Sequence, residues 1–219
     1  MDFFPRVIFS FKAFGQTVEI TETVIVTWFI MALLTLVAIY STRKLKTLPE
    51  GLQNGVEIFV EGVEWLIVNT MGEKGRGFIP FIGSLGLFLL SANLIGLAAL
   101  RPPTSDLSTT LALATIVFVL TQYYGIKEKG LISYLKGFAR PLPLMLPLNI
   151  IGELANPFSM AFRLFGNILG GVIIMGLLYR AAPVLIPVPL HIYFDIFAGI
   201  IQTFIFIMLA MVFISMAMD

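Results

Sequence analysis

Two residue types are scarce in this sequence: cysteine is absent, and His191 is the single histidine. Without cysteine the chain has no disulfide framework, thiolate metal site or cysteine nucleophile, and one histidine leaves no histidine-based metal cluster. Charged residues make up only 12% of the chain, against about 25% in a soluble globular domain. Because 14 basic residues nearly balance 13 acidic ones, no excess of positive charge attracts nucleic acid. We therefore expect no metal site, no bound cofactor and no nucleic-acid partner.

Apolar residues dominate what is present. They form 58% of the chain, and the mean hydropathy is +0.96, which excludes a water-soluble enzyme. A bilayer core of about 30 Å requires about 20 apolar residues in a helix. Four charge-free runs reach that length, at residues 23–42, 77–100, 107–126 and 196–218. A further mostly apolar segment, residues 144–179, contains Glu153 and Arg163. The sequence therefore predicts an all-α integral membrane protein.

Basic residues predict the orientation of the chain. They follow the first span at positions 43, 44 and 46 and the third span at positions 127, 129, 136 and 140. Both loops then belong on the cytoplasmic side by the positive-inside rule. We expect the N-terminus outside and the C-terminus in the cytoplasm. The short loop before the third span is also outside, and Asp106 is a candidate N-cap there.

The segment at residues 50–70 differs from the spans. Glu57, Glu61 and Glu64 recur at helical spacing among apolar residues, which favours an amphipathic helix on the inner membrane surface. A connector helix in water is the alternative. Because we find no internal repeat and no long linker, we expect a single membrane domain over residues 1–219. Its parts are the first span and surface helix (1–70), a helical hairpin (71–140) and a long hairpin (141–219).

The last third of the chain contains two long apolar segments. Residues 144–179 would form a helix of roughly 54 Å and residues 190–218 one of roughly 43 Å, both longer than the roughly 30 Å hydrocarbon core. Prolines at positions 183, 187 and 189 interrupt the helix between them. We expect upright transmembrane helices in the first part of the chain. The C-terminal hairpin then consists of two long, strongly tilted helices with a wide face toward a partner.

Polar residues in this hairpin follow helical spacing. Positions seven apart lie on nearly the same side of a helix. One such stripe contains Asn149, Asn156, Arg163 and Gly170. The other polar residues of the hairpin's face are Ser159 and Asn167 on the same helix, and Asp195 and Gln202 on the next.

Arg163 is a permanent charge in the middle of an apolar segment. Its guanidinium keeps its proton at any physiological pH, and an arginine at that depth costs at least about 2.5–3.5 kcal/mol. Glu153 lies ten positions earlier, which is too far along the helix for a direct pair. Either Asp195 neutralises Arg163 across the hairpin, or a carboxylate on another chain does.

Two runs of residues around this arginine resemble a known family. The run PFSMAFRLFGN at residues 157–167, with QTFIF at residues 202–206, closely resembles subunit a of F-type ATP synthases. The runs LPEGLQ at residues 48–53 and LPLNI at residues 146–150, and the pair Asp106-Leu107, fit that family in the same order. The resemblance covers most of the chain.

The resemblance implies a stator subunit that couples ion flow to rotation and has no nucleotide chemistry of its own. Arg163 would face a ring of rotor c-subunits, each with an essential carboxyl group, and two aqueous half-channels would carry protons or sodium ions to and from that ring. By attracting the ionised rotor carboxylate, Arg163 would prevent direct leakage between the half-channels. Further partners would be the peripheral-stalk subunit b, the rest of the synthase and the lipid membrane.

The resemblance also suggests roles for other residues. Asn167 and Gln202 match polar residues near the family's arginine, which they would orient. Many relatives have a glutamate where this chain has Val172, and relatives have histidine or glutamate where it has Asp195. We therefore assign the titratable group of the outer half-channel to Asp195 alone, without a histidine partner. His191 is either a substitute for that group or an interfacial residue near the proline-rich loop.

The remaining polar residues have two interpretations each. Glu153 either helps to line the cytoplasmic half-channel or is an acid at the membrane interface. Candidates for lining a water path or joining neighbouring helices are Asn93, Gln122, Asp106, Asn149, Asn156 and Ser159. Because the family often has lysine at the position of Asn156, the resemblance assigns that residue no role.

Two other functions remain as alternatives. A stand-alone secondary transporter or ion channel would use the intramembrane Arg163 and Asp195 as its substrate or ion site, but such proteins have internal repeats, and none is visible. A membrane scaffold would bind partner helices through glycine-rich faces and would not need Arg163. The resemblance favours a bacterial plasma membrane, with a thylakoid membrane as the alternative.

Overall fold

The structure is a computed structural model that describes residues 7–13, 16–43, 51–98, 100–138, 143–181 and 187–218. Its α-helices are α1 (Glu22–Thr42), α2 (Leu52–Met71), α3 (Ile79–Leu94), α4 (Leu107–Lys129), α5 (Leu131–Gly137), α6 (Leu146–Ala181), α7 (Pro187–His191) and α8 (Ala198–Met218). Short 3₁₀ helices occupy Glu73–Phe78, Ile95–Ala98, Pro103–Ser105 and Pro143–Met145, and a π-helical turn occupies Ile192–Phe197.

Five helical segments of the described chain are long and apolar enough to cross a membrane. They are Glu22–Thr42, Glu73–Ala98, Leu107–Lys129, Leu146–Arg180 and Pro189–Met218. These segments coincide with the predicted spans, so the all-α membrane class and the long C-terminal helical pair are confirmed. The proline-rich connector lies largely outside the described residues, as do Lys44, Lys46, Arg140 and Asp219.

An antiparallel β-hairpin precedes the first span, which the sequence analysis did not predict. Strand β1 (Val7–Ala13) pairs with strand β2 (Gln16–Thr21), with Val7 opposite Thr21 and Lys12 opposite Thr17. In β2, threonine and glutamate alternate with valine and isoleucine, and β-branched residues suit extended strands. Strand β2 leads directly into α1, so the hairpin lies at the predicted outer end of that helix.

Helices α3, α4, α6 and α8 form the centre of the molecule. Leu89, Leu164, Phe206, Met211 and Ile214 are all buried in one apolar cluster. Helix α2 contributes only one face to that cluster, through Val63, Ile67 and Met71. Its opposite face exposes Glu61 and Trp65. This two-sided helix agrees with the predicted amphipathic pattern.

Helix α1 lies at the edge of the bundle. Its buried residues are Thr23, Val26 and Ile30, and most of its remaining side chains are exposed. The Thr23 hydroxyl donates a hydrogen bond of 3.1 Å to Oδ2 of Asp106. Oδ1 of Asp106 accepts a bond of 3.0 Å from the backbone N–H of Ser108, so Asp106 is the N-cap of α4 as predicted.

The long C-terminal pair contains two departures from regular α-helix. Pro157 lies inside α6; because proline has no N–H, the carbonyl of Glu153 lacks its usual helical donor. The π-helical turn Ile192–Phe197 precedes α8 and carries Asp195. Single π turns inside helices are rare and often occur at functional sites. Strong tilt of the pair remains a prediction from its length.

Candidate functional site

Arg163 lies on an exposed face of α6. The side chains of its helical neighbours Ala161 and Leu164 are fully buried, so the opposite side of the helix faces outward. Ser159 and Gly166 are exposed on either side of Arg163, and a β-carbon added at Gly166 would meet no atom within 4 Å. Among the described residues, Arg163 has neither a hydrogen-bond nor an ion-pair partner.

One helical turn further along α6, a polar pair joins the two long helices. Nδ2 of Asn167 donates a hydrogen bond of 2.6 Å to Oε1 of Gln202 on α8. Gln202 is only 2% exposed, whereas Asn167 is at the surface beside Arg163. The structure therefore brings together these two residues, which the sequence analysis had associated with the arginine.

Asp195 has a histidine partner in the structure. A short hydrogen bond joins Oδ2 of Asp195 to Nδ1 of His191, four residues earlier on the same continuous helical segment. The expectation that Asp195 lacks a histidine partner is therefore wrong, and the reason is geometric: residues four apart face each other along a helix. Of the two alternatives for neutralising Arg163, pairing with Asp195 is not observed.

A third residue extends this pair to the neighbouring helix. Nε2 of His191 forms a hydrogen bond with the hydroxyl of Tyr179, near the end of α6. The short helix Ile95–Ala98 approaches the Asp195 carboxylate closely from another side. A β-carbon added at Gly96 would lie 3.4 Å from Oδ1 of Asp195. The sequence analysis missed both Tyr179 and Gly96, because neither contact follows from the spacing within one helix.

A cleft of about 560 Å³ opens at the other end of the long helices. Its polar lining consists of Lys129, Ser133, Tyr134, Asn149, Glu153 and Asn156. Glu153 accepts a hydrogen bond of 2.8 Å from Nε2 of Gln122. The Tyr134 hydroxyl donates a bond of 2.9 Å to Oε1 of Gln122. The structure thus brings four predicted candidates, Glu153, Gln122, Asn149 and Asn156, to one cleft or its wall.

The position of Tyr134 in this cleft depends on a glycine. A β-carbon at Gly125 would lie 2.6 Å from the Tyr134 ring, so only glycine lets α5 pack this closely on α4. Burial raises the pKa of Tyr134, and the carboxylate of Glu153 raises it further, against the opposing effect of the bond to Gln122. The phenol therefore stays protonated at neutral pH and remains a donor.

A small cavity lies next to the cleft, between α4, α6 and α8. Its volume is about 10 Å³, and its lining includes Thr121, Glu153, Asn156, Pro157 and Met160. That volume is close to the minimum that holds one water molecule. The cavity lies on the Arg163 side of Glu153, since Met160 is three residues from the arginine along α6.

Both the nitrogen and the oxygen of the Asn93 side-chain amide form hydrogen bonds to other segments of the protein. Its Nδ2 donates to the carbonyl of Gly199 at 3.2 Å and to the Thr203 hydroxyl at 3.0 Å. Its Oδ1 accepts from the Thr104 hydroxyl at 2.8 Å. With Asn93 at 2% and Thr104 at 0% exposure, this network joins α3, the short helix Pro103–Ser105 and α8. Of the two interpretations of Asn93, helix joining is the one observed.

Comparison with known proteins identifies the family. The model of the family described as the ATP synthase A chain matches residues 24–215. The chain belongs to this family. The sodium-ion-specific ATP synthase subunit a of Propionigenium modestum is 40% identical over 90% of this chain and 73% of its own length. The corresponding subunit of Trichlorobacter lovleyi is 41% identical over 90% of this chain and 87% of its own. An ATP synthase subunit a of a Bradyrhizobium strain is 44% identical over 91% and 90%.

Membership of the ATP synthase A chain family confirms the resemblance stated from the sequence. The chain is a multi-pass membrane protein and the stator subunit of an ATP synthase that takes part in ion translocation. As such it belongs to a complex with other ATP synthase subunits.

Proposed function

We propose that this chain forms two aqueous half-channels that carry protons or sodium ions to and from the carboxylates of a ring of rotor c-subunits. The observation that supports this most directly is Arg163, a permanent cation on an exposed face without a partner among the described residues. A cation at that depth needs compensation, and a carboxylate on an adjoining subunit would supply it. The guanidinium would then attract each ionised rotor carboxylate in turn.

The inner half-channel, in this proposal, is the cleft at the start of α6. Its volume of about 560 Å³ holds many water molecules, since each occupies about 30 Å³ in the liquid. Glu153 lies at its inner end with its carboxylate hydrogen-bonded to Gln122. The one-water cavity beside Pro157 would continue the path toward Arg163. Water in that cavity would find polar neighbours in Glu153 and Asn156, which both line it.

The outer half-channel ends at Asp195. Its carboxylate is half-buried, is bonded to His191, and faces Gly96 rather than a bulky side chain. A carboxylate and an imidazole both exchange protons in the physiological range when their environments shift them. We assign this pair, with Asp195 as the principal group, to ion exchange on the outer side.

Buried apolar side chains lie between the two regions. Along α6 and α8, Leu164, Ile168 and Phe206 lie between the cleft and Asp195, and all three are buried. An ion on either side therefore meets packed apolar side chains, and it crosses this level only on a rotor carboxylate. The driving energy is about 2.3 kcal/mol per elementary charge for each 100 mV of membrane potential, plus the concentration gradient.

The proposal extends to the setting of the protein. Lys127 and Lys129 lie at the cleft end of α4, so the cleft is on the cytoplasmic side by the positive-inside rule. The N-terminus is then outside the cell and the C-terminus inside.

Bacterial relatives support the bacterial plasma membrane, with the whole chain as one membrane domain. The partners are the c-ring at the Arg163 face and the peripheral-stalk subunit b.

Cysteine cross-linking in native membranes tests the central contact. The chain has no cysteine of its own, so each introduced thiol reports one position. Ser159 and Gly166 lie on the exposed face beside Arg163, so the cysteine of Ser159→Cys or Gly166→Cys is accessible to a neighbouring subunit. Gln202 is buried and is therefore a poor position for a cross-link. We expect both variants to cross-link to a cysteine near the carboxylate of the c-subunit helix.

The control is Thr115→Cys, which is exposed on α4 and away from that face. It should give no cross-link to the c-subunit. Normal insertion of all three variants without a cross-link from Ser159→Cys or Gly166→Cys would contradict contact between this face and the rotor. A stand-alone transporter would then be the better assignment.

A further inference from the structure

Three polar side chains form a connected chain at the outer end of the long helices. Tyr179 near the end of α6 bonds Nε2 of His191 at the end of α7, and Nδ1 of His191 bonds Asp195 in the π turn. The Tyr179 and His191 rings also lie in contact, with centroids 5.7 Å apart and planes inclined by 51°. Tyr179 is therefore a hydrogen-bond partner of the imidazole rather than part of the Asp195 pair itself.

The chemistry of the imidazole determines which atom donates and which accepts in each of these hydrogen bonds. When Asp195 is ionised, its carboxylate can only accept, so Nδ1 of His191 is the nitrogen that carries the proton. In neutral His191 the other nitrogen, Nε2, is then an acceptor, and the phenol of Tyr179 donates to it. The bond from Tyr179 thus stabilises one tautomer, in which the N–H points at Asp195.

We propose that Tyr179 is a positioning residue of the ion pathway, which holds His191 in the orientation and tautomer that donate to Asp195. This inference rests on the proposed role of Asp195 in the outer half-channel. The neutral imidazole is the form that can accept a proton arriving from outside, and only that form can accept the hydrogen bond that Tyr179 donates.

The other charged groups near His191 are few. Helices α6 and the π turn pack against the short α7, and near His191 they contribute Tyr179, Arg180, Tyr193 and Asp195. Helix α3 and the short helix Ile95–Ala98, which adjoin the π turn, contain no titratable side chain. The protonation of His191 therefore depends on Asp195 and Tyr179 as bonded neighbours, with Arg180 as the nearest further charge in sequence.

The variant Tyr179→Phe tests the inference, because it keeps the ring and removes only the hydroxyl. Loss of the donor to Nε2 removes a hydrogen bond that only neutral His191 accepts, and this destabilises the neutral form relative to the protonated one. In a plot of the ATP-driven pumping rate against pH, the acid limb is the part where the rate falls as the pH is lowered. We expect this limb to move to higher pH by about half to one pH unit. A voltage-sensitive dye in inverted membrane vesicles measures pumping of either cation.

Two further variants show whether the shift acts through His191. Tyr193→Phe removes a neighbouring exposed phenol and should leave the acid limb unchanged. In an His191→Asn background the acid limb should be absent, and adding Tyr179→Phe should change nothing further, because coupled residues are non-additive. A role of Tyr179 in ring packing alone would leave the pH profile of Tyr179→Phe like that of the unaltered protein, which would overturn the inference.

The variant Asp195→Asn tests the proposed role of Asp195 in the outer half-channel separately from the role of Tyr179. Pumping that persists at the normal rate in Asp195→Asn would mean that the outer half-channel does not use Asp195, and the proposed pathway would fail. Slow pumping in Asp195→Asn, combined with an unshifted pH profile in Tyr179→Phe, would retain the pathway and reject only the role of Tyr179.

Discussion

At the scale of single residues, the acids of the long hairpin's described part are paired, whereas its two arginines, Arg163 and Arg180, are exposed and have no partner there. Glu153 bonds Gln122, and Asp195 bonds His191. Arg163 has no such partner within the described part of the chain. Because its guanidinium cannot lose its proton, titration cannot neutralise Arg163, and the proposed contact with a rotor carboxylate would do so instead.

Replacing Arg163 by alanine should abolish both ATP-driven pumping and ATP synthesis. Without the guanidinium, nothing attracts the ionised rotor carboxylate, and the polar regions on either side lose their electrostatic separation. Vesicle pumping and synthesis assays measure the two directions. The matched control is Arg180→Ala, an exposed arginine at the end of the same helix, which should keep most of the activity. Substantial coupled activity in Arg163→Ala would contradict the assignment.

Helical spacing placed Asn149 and Asn156 on one stripe, and both line the cleft together with Glu153. The family resemblance associated Asn167 and Gln202 with the orientation of Arg163, but their observed hydrogen bond joins them to each other. The His191–Asp195 pair was missed because the family resemblance favoured a lone acid over the four-residue spacing. Gly96 and Tyr179 were missed because they approach from other helices, and contacts between helices do not appear in the periodicity of one segment.

At the scale of helices and strands, the apolar segments predicted the five helices of the described chain that are long and apolar enough to cross a membrane, because a bilayer imposes a minimum length. Local departures from regular structure were not predicted. The β-hairpin was hidden because its strands are short, and the π turn Ile192–Phe197 leaves no compositional signature. The hydrogen-bond network of Asn93 lies directly beside that turn. Gly199 on α8 approaches Asn93 so closely that a β-carbon added at Gly199 would lie 3.2 Å from Cβ of Asn93.

Asn93→Leu should weaken the attachment of α8 to the rest of the molecule. It removes three hydrogen bonds and leaves the hydroxyls of Thr104 and Thr203 without Asn93 as partner. Bonds between membrane helices are worth about 0.6 kcal/mol each and up to about 1.7, so we expect a loss of about 2–3 kcal/mol. A thermal unfolding series of the detergent-solubilised synthase measures it.

The control for that series is Thr115→Val, which loses only a bond to the Leu111 carbonyl of its own helix. It should unfold within a few tenths of a kcal/mol of the unaltered protein. Equal stability of Asn93→Leu and Thr115→Val would show that the network does not hold α8.

At the scale of the whole molecule, the two polar regions lie at opposite ends of one apolar bundle. The cleft lies beside the basic end of α4, and the Tyr179–His191–Asp195 chain lies at the far end of α6. In the proposed function, this arrangement would give each side of the membrane its own entry without a continuous path. The fold as a whole was predictable, since five apolar segments and one amphipathic helix leave few ways to assemble.

Thiol labelling of single-cysteine variants tests the orientation. Ser133→Cys lies in the cleft, and Ser10→Cys lies in the β-hairpin. A membrane-impermeant maleimide should label Ser133→Cys in inverted vesicles and Ser10→Cys in right-side-out vesicles, with the unaltered cysteine-free chain as the blank. The reverse pattern would contradict an outside N-terminus.

The one-water cavity beside Pro157 has a consequence for transport itself. A space of about 10 Å³ admits a single file, in which neither water nor ions can pass one another. A proton crosses such a point by hopping along hydrogen bonds, with no displacement of oxygen atoms. A sodium ion would have to exchange its hydration shell there for protein oxygens such as the side-chain amide of Asn156, which lines the cavity. If the proposed inner half-channel passes through this constriction, it would delay the two cations by different physical processes, desolvation for sodium and water reorientation for protons.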